Sequence, residues 1–442
     1  MEPLELLDPR IRAAAHGVRA AAAALRLDDD PADVANPLGR ARSLSSRDVY
    51  KDLGDAPKTP IVEATRVWVG ALTLERVLWT DAVRVEVARR ASRVEIDLGG
   101  AGETISVDAT LARMLLDTES GRRRVLASAL EHGAGEAKSA ARVLAERRAE
   151  AARQLGVDRD ALEVPLDEPA ALVDAARRAL DVLDAARPPG APWSDALDRL
   201  LARDAGEGWP AHVTPRWLVG SFAGTGLVDG LRLAPVKLPA PLGASSFARA
   251  LGAFGGAWFD AGRPPSAPFV LACAPFDVHR ARRVALFAGL AAEPAFHVRA
   301  LGLGKARAMD QARKVARALA VSLRLDASRA LLRGAFELAP RAADQAFEEH
   351  NERALGAPIP ASLAGVFPRV SPDDAARFVG QVLAARDRRE LVERFDEDWF
   401  RSPHAARALR EEDAVVAPAK VPRAAVDAGL KALEAEARVM LG

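Results

Sequence analysis

Ser245 to Asp260 reads SSFARALGAFGGAWFD, and this stretch decides how the rest of the chain is understood. Its apolar spacing predicts a helix, yet Gly252, Gly255 and Gly256 lie inside it. An interior glycine costs about 1 kcal/mol relative to alanine, so three of them need a reason. One is that small residues let a neighbouring helix approach closely.

Working outward, the chain from Ser245 to the C-terminus reads as helix after helix. Ser371-Pro-Asp-Asp374 is a clear start: a serine cap, proline at the first position and acids in the first turn. Toward the N-terminus, helices are expected over about Asp8 to Leu27 and Pro60 to Arg93. They continue from Asp108 to Gly156, with a break near Gly133-Ala-Gly135, and over about Glu168 to Ala186 and Trp193 to Asp204. In Pro60 to Arg93, Val62, Val67, Val69, Leu72, Val77 and Leu78 form the core-facing stripe, with Trp68 and Trp79 as core anchors. Val94, Ile96 and Leu98 alternate with Glu95 and Asp97 before Gly99-Gly-Ala-Gly102 and Thr104-Ile-Ser-Val107, which predicts a β-hairpin. Gly99-Gly-Ala-Gly102 opens no helix, so it is a turn rather than a phosphate loop. Arg187-Pro-Pro-Gly190 reads as a hinge and Leu231 to Leu238 as a short extended segment. The fold class is mainly α. A change of texture between Glu207 and Pro215 places a boundary there, giving residues 1–206 and 207–442 as N- and C-terminal helical lobes.

Composition agrees and narrows the function. Alanine makes up about a fifth of the chain, well above ordinary usage, which favours helix throughout. Lys and Arg together number 62 against 61 Asp and Glu, a net charge of +1, so no electrostatic footprint points to nucleic acid or an anionic membrane. The one cysteine, Cys273, excludes an internal disulfide and cysteine-rich zinc sites. No apolar run reaches the length of a membrane span, and the acidic start Met1-Glu-Pro-Leu-Glu is unlike a signal peptide, so a cytoplasmic protein is expected.

The seven histidines, His16, His132, His212, His279, His297, His350 and His404, include no pair four residues apart, so no helix carries a zinc-binding His pair. Glu348-Glu-His350 supplies one imidazole beside two acids. Cys273 lies in the apolar run Val270 to Pro275 and reads as an inert thiol. There is no Gly-x-Ser-x-Gly elbow and no Walker loop. No metal or other cofactor is expected.

Gly252-Ala-Phe-Gly-Gly-Ala-Trp-Phe259 resembles the HE(F/L)GHAxH helix of the oligoendopeptidase and thimet-oligopeptidase family of zinc peptidases. Phe254, Gly255 and Ala257 match, while Gly252 and Gly256 stand at the two histidine positions and Ala253 at the glutamate position. Zinc hydrolysis needs both imidazoles on one ion and the glutamate to take a proton from the bound water. Val284 to Pro294 is similar to the family's third-ligand helix, whose glutamate position falls at Ala281, Arg282 and Arg283, none a carboxylate. Leu391-Val-Glu-Arg-Phe-Asp-Glu-Asp-Trp-Phe-Arg-Ser-Pro403 resembles the family's RFGEDWWRNP segment, and Gly121 to Leu126 with Ala145 to Gly156 resembles its paired helices. The resemblance covers about Asp108 to Glu412. It implies a large two-lobed zincin-like helical fold with a central cleft and a minor hairpin or short sheet. The family's late tyrosines are missing too, since the single tyrosine is Tyr50.

The resemblance therefore implies a pseudoenzyme: a peptide- or protein-binding module with no zinc and no catalytic residue, its partner a peptide or an active homologous peptidase. An alternative is an active peptide hydrolase with an unconventional or relocated metal site, drawing on His279, His297, His350 and nearby acids. A third reading is an unrelated helical scaffold in which the glycine helix is only a packing device.

Overall fold

The computed structural model describes residues 4–26, 30–97, 102–157, 166–188, 192–201, 209–210, 213–228, 231, 243–264, 266–338, 342–414 and 420–441. The protein is mainly α, 75% helical, with one two-stranded sheet among the described residues. The chain opens with α1 (Leu4–Arg26), α2 (Arg47–Asp55) and the long α3 (Pro60–Ala91). Thr59 caps α3, its hydroxyl accepting from the Val62 N–H, and Pro60 fills the first position, where a missing N–H is harmless. Trp68 and Trp79 are buried as expected, each indole N–H donating to a carbonyl, of Cys273 and Val34 respectively. Val77, placed in the core stripe by its spacing, is instead 49% exposed. It stands next to buried Leu78, about 100° round the helix, and turns out to the solvent side.

The hairpin forms where helical spacing gives way to alternation: β1 (Arg93–Ile96) pairs antiparallel with β2 (Glu103–Ser106), with Val94 opposite Ile105. Residues 98–101 of the glycine-rich tip lie outside the described residues. Then follow α4 (Val107–Leu116), α5 (Ser120–Gly133) and α6 (Gly135–Leu155). The break at Gly133 to Gly135 is as expected. A second, at Asp117 to Glu119, is set by the Asp117 carboxylate accepting the Glu119 N–H. Gly156 ends α6 in the left-handed region at φ 65°, a conformation that favours glycine. α7 (Ala171–Val182) starts three residues later than its sequence suggests, and α8 (Trp193–Leu201) follows. Pro189 and Gly190 of the expected hinge, the extended segment after Leu231, and Glu207, Gly208, Ala211 and His212 of the expected lobe boundary lie outside the described residues.

The C-terminal half holds α9 (Pro215–Ser221), α10 (Ala244–Gly262), the one-turn α11 (Phe269–Ala272), α12 (Val278–Gly289), α13 (Pro294–Leu301), the long α14 (Lys305–Leu338), α15 (Ala343–Leu355), α16 (Asp374–Phe395), α17 (Pro403–Asp413) and α18 (Arg423–Met440). At the start of α16 the Ser371 N–H donates to Asp374 and the Asp373 N–H to the Ser371 hydroxyl, so the cap forms as read while regular helix begins at Asp374.

The most extensive helix pairing is α10 on α12, followed by α12 on α16. α10 and α12 run antiparallel, with Gly252 near Val284 and Ala288 and Gly256 near Arg280. α12 and α16 run side by side in one direction, Gly380 lying on Ala281 and Gly289 beside Arg388; Glu436 of α18 then reaches Arg388. One core cluster is aromatic, built by Phe222, Phe247, Phe254, Trp258, Phe287, Phe296, Trp399 and Phe400. The larger aliphatic cluster draws on both halves of the chain, from Val94 and Leu126 to Val382 and Leu430. Among the described residues no single helix is long and apolar enough to cross a membrane; Val278–Ala292 and Pro294–Leu301 qualify only as a pair bent by 76°.

Candidate functional site

Gly252 and Gly256 face α12, and Ala253 is exposed. A methyl group at Gly252 would lie 3.3 Å from Val284 Cγ1 and from the Val284 carbonyl oxygen. At Gly255 it would lie 2.6 Å from the Arg283 carbonyl oxygen and 2.8 Å from Phe287 Cβ; at Gly256, 3.0 Å from an Arg280 guanidinium nitrogen. The space that two imidazoles need at positions 252 and 256 is filled by α12. Arg280 also reaches across to Asp260, its Nε 3.0 Å from Oδ1, tying the far end of the two helices.

The positions matched to a third metal ligand are occupied differently. Ala281 is half-buried against Gly380. Arg282 and Arg283 are buried and bind three carboxylates. Arg282 pairs with Asp387 on α16, and its Nη2 donates to Glu412 Oε1 at 2.6 Å. Arg283 donates from Nη1 to Asp387 Oδ2 at 3.0 Å, from Nη2 to Glu412 Oε2 at 2.5 Å and from Nε to Asp413 Oδ1 at 2.9 Å. Burial pushes the Glu412 carboxyl up, but the two guanidinium groups outweigh it and hold it at about 2. The cluster locks α12, α16 and the end of α17 together.

Beside this packed seam lies a cavity of about 1300 Å³. On α10 and α12 a patch of small apolar side chains, Ala248, Ala281, Val284, Ala285 and Ala288, extended by Ala292, lines one side of it, with Ser245, Arg249 and Arg280 of the same helices beside the patch. α14, α16 and α18 supply the remaining walls, and Arg19 and Leu183 reach in from the N-terminal half. The alanine richness of the sequence thus does local work, since short side chains on two adjacent helices leave open volume between them and their neighbours.

At the end of the cavity where α12 stops stands Glu293, the residue just before Pro294 at the start of α13. Its side chain is 22% exposed, and Arg388 Nε lies 3.5 Å from Oε1. Arg388 is committed elsewhere, donating from Nε to Glu436 Oε1 at 3.0 Å and also from Nη2 to Glu436. Burial raises the Glu293 carboxyl, Arg388 works against it, and Glu436 and Glu397 add to the rise, leaving it at about 7. Sequence reading passed over Glu293. The signal available was an acid in an alanine-rich run directly before a helix-starting proline.

The histidines considered for a relocated metal do not assemble one: the described residues hold no group of three or more His, Cys, Asp or Glu side chains arranged for a metal ion. His297 is fully buried, Nε2 2.7 Å from the Ala291 carbonyl oxygen, against Trp209 and Phe247. Burial lowers its pKa, as it does for His279 and His350. Burial raises the Cys273 thiol, which keeps it protonated and weakly reactive. The segment Arg394 to Pro403 forms a compact corner: Asp396 takes a left-handed conformation at φ 66°, Trp399 and Phe400 enter the aromatic core, and Ser402 caps α17.

No protein-family model matches the chain, and no curated protein matches it either.

Proposed function

We infer that this chain is a peptide- or protein-binding module on a peptidase-like helical scaffold, holding its ligand in the cavity beside α10 and α12 without metal-dependent cleavage. The observation that carries this reading is the cavity, large enough for several residues of an extended peptide and walled by small apolar side chains. In this reading the fold is two-lobed and zincin-like, with residues 1–206 and 207–442 as lobes and the cavity as the remnant of the central cleft. Arg19 and Leu183 on one side of the cavity and α10, α12, α14, α16 and α18 on the other support that arrangement. The glycines at positions 252 and 256 and the arginines at 282 and 283 support the loss of metal chemistry, because each now serves helix packing or an ion cluster. The ligand is a peptide or an exposed segment of a partner such as an active peptidase of the same family.

The test is incubation of the purified protein with a fluorescent pool of unstructured peptides, with and without added zinc. Saturable binding with no new fragments is expected, and Ala285→Trp, which fills the cavity, abolishes it. New fragments that depend on zinc, or binding that survives Ala285→Trp, would contradict the reading. A second reading, hydrolysis at an unconventional site, has one observation in its favour: Glu293 titrates near neutral pH inside the cavity, as a general acid or base must. It predicts cleavage that disappears in Glu293→Gln.

A further inference from the structure

We propose that the cavity selects a peptide segment carrying a lysine or arginine, whose cation docks against Glu293 while the flanking apolar residues lie on the alanine wall. This rests on the peptide-binding reading above and names the class of peptide. The apolar part follows from the patch of Ala248, Ala285 and Ala288, which presents methyl groups, with Ser245, Arg249 and Arg280 of the same helices beside it. Such a surface gives contact area without dictating sequence.

The cationic part follows from the charges at the α12 end. Glu293, Glu397 and Glu436 line the cavity there with Arg388. Arg389 is engaged by Glu393, 2.8 Å away along α16, and Arg249 is exposed on α10. Arg388 turns its fork onto Glu436, so Glu293 lies near a guanidinium without a hydrogen bond from it. A largely desolvated carboxylate with an incomplete counter-charge is unfavourable in the empty protein, and a ligand ammonium or guanidinium supplies what is missing. A neutral or acidic segment of the same shape gains nothing there, and an acidic one is repelled.

The same geometry fixes the pH response. The groups facing Glu293 are Arg388 and Glu397 from the α16 side and Glu436 from α18, and its carboxyl stands at about 7 before ligand binds. A cation binds the ionised form, so affinity tightens as pH rises through that value, by about tenfold between pH 6 and pH 8 for a single coupled proton.

Fluorescence anisotropy on the full-length protein tests this with one apolar peptide in three versions, carrying lysine, acetyl-lysine or glutamate at its centre. The lysine peptide is expected to bind about tenfold or more tightly than the acetyl-lysine version, and the glutamate version more weakly still. In Glu293→Gln, with folding checked by near-ultraviolet circular dichroism, that preference and the pH dependence both collapse. Equal binding of the lysine and acetyl-lysine peptides would overturn the cationic specificity while leaving peptide binding intact. Absence of binding by all three would overturn both.

Discussion

Gly255 marks the tightest point between α10 and α12, and it separates a packing requirement from mere tolerance. A methyl group there meets backbone and ring at 2.6–2.8 Å, whereas at Gly252 the nearest atoms stand at 3.3 Å. Gly255→Ala is expected to lower stability by about 1–3 kcal/mol from overpacking, despite a helix-propensity gain of roughly 1 kcal/mol. Gly252→Ala is expected to stay within about 0.5 kcal/mol, and urea denaturation of both variants decides. Glu293 gives a residue-level prediction of the opposite sign. Its carboxyl is raised from 4.5 to about 7 on folding, so its contribution to stability is full below 4.5 and lost as pH rises through about 7. Glu293→Gln should therefore raise the melting temperature at pH 8 and leave it nearly unchanged at pH 4. A melting temperature that falls at pH 8 would show that the carboxylate is well paired. Arg324, with no exposed surface, donates to the carbonyls of Leu180, Arg353 and Ala354, joining the C-terminal ends of α7 and α15. Replacing it with Met leaves those carbonyls without their donor and should cost about 3 kcal/mol or more, read by the same denaturation.

At the scale of elements, local signals were legible and the joints between distant segments were not. The switch from helical spacing to alternation at Val94 announced the hairpin, and the glycines of α10 announced a close neighbour, because both are encoded within a few residues. Nothing near Arg282 and Arg283 indicated their partners, since Asp387, Glu412 and Asp413 are over a hundred residues away and ordinary in context. Two adjacent arginines on a helix read as a solvated face until the fold brings carboxylates to them. Val77 failed in the other direction: spacing alone does not say how wide the buried stripe of a 32-residue helix is. The ion cluster makes its own prediction. Asp387→Asn removes the more deeply buried of the two carboxylates that both arginines share and should destabilise by about 3–5 kcal/mol, since it leaves buried charge under-compensated. Glu412, lowered from 4.5 to about 2, contributes stability that is full above 4.5 and lost as pH falls toward 2. Asp413, raised by burial, works the opposite way, so Glu412→Gln rather than Asp413→Asn should flatten the acid limb of the stability profile.

Over the whole molecule, the sequence marks α10 and α12 as the seam where function should be sought, and the structure shows that seam closed and a cavity open beside it. The resemblance implied a central cleft but not its lining, because the lining comes from helices far apart in sequence whose adjacency depends on the complete fold. Its position explains why the three glycines and the alanines on the same helices have different roles: the glycines let α12 close on α10, and the alanines keep the adjoining volume free. The central claim is that the molecule holds a peptide in this volume and leaves it uncut. Native mass spectrometry of the full-length protein mixed with a peptide pool and one equivalent of zinc reads peptide mass, stoichiometry and metal content in one spectrum. The account predicts a one-to-one complex with an intact peptide, enriched in lysine or arginine, and no bound zinc; stoichiometric zinc together with cleaved peptides, or no bound peptide at all, would contradict it.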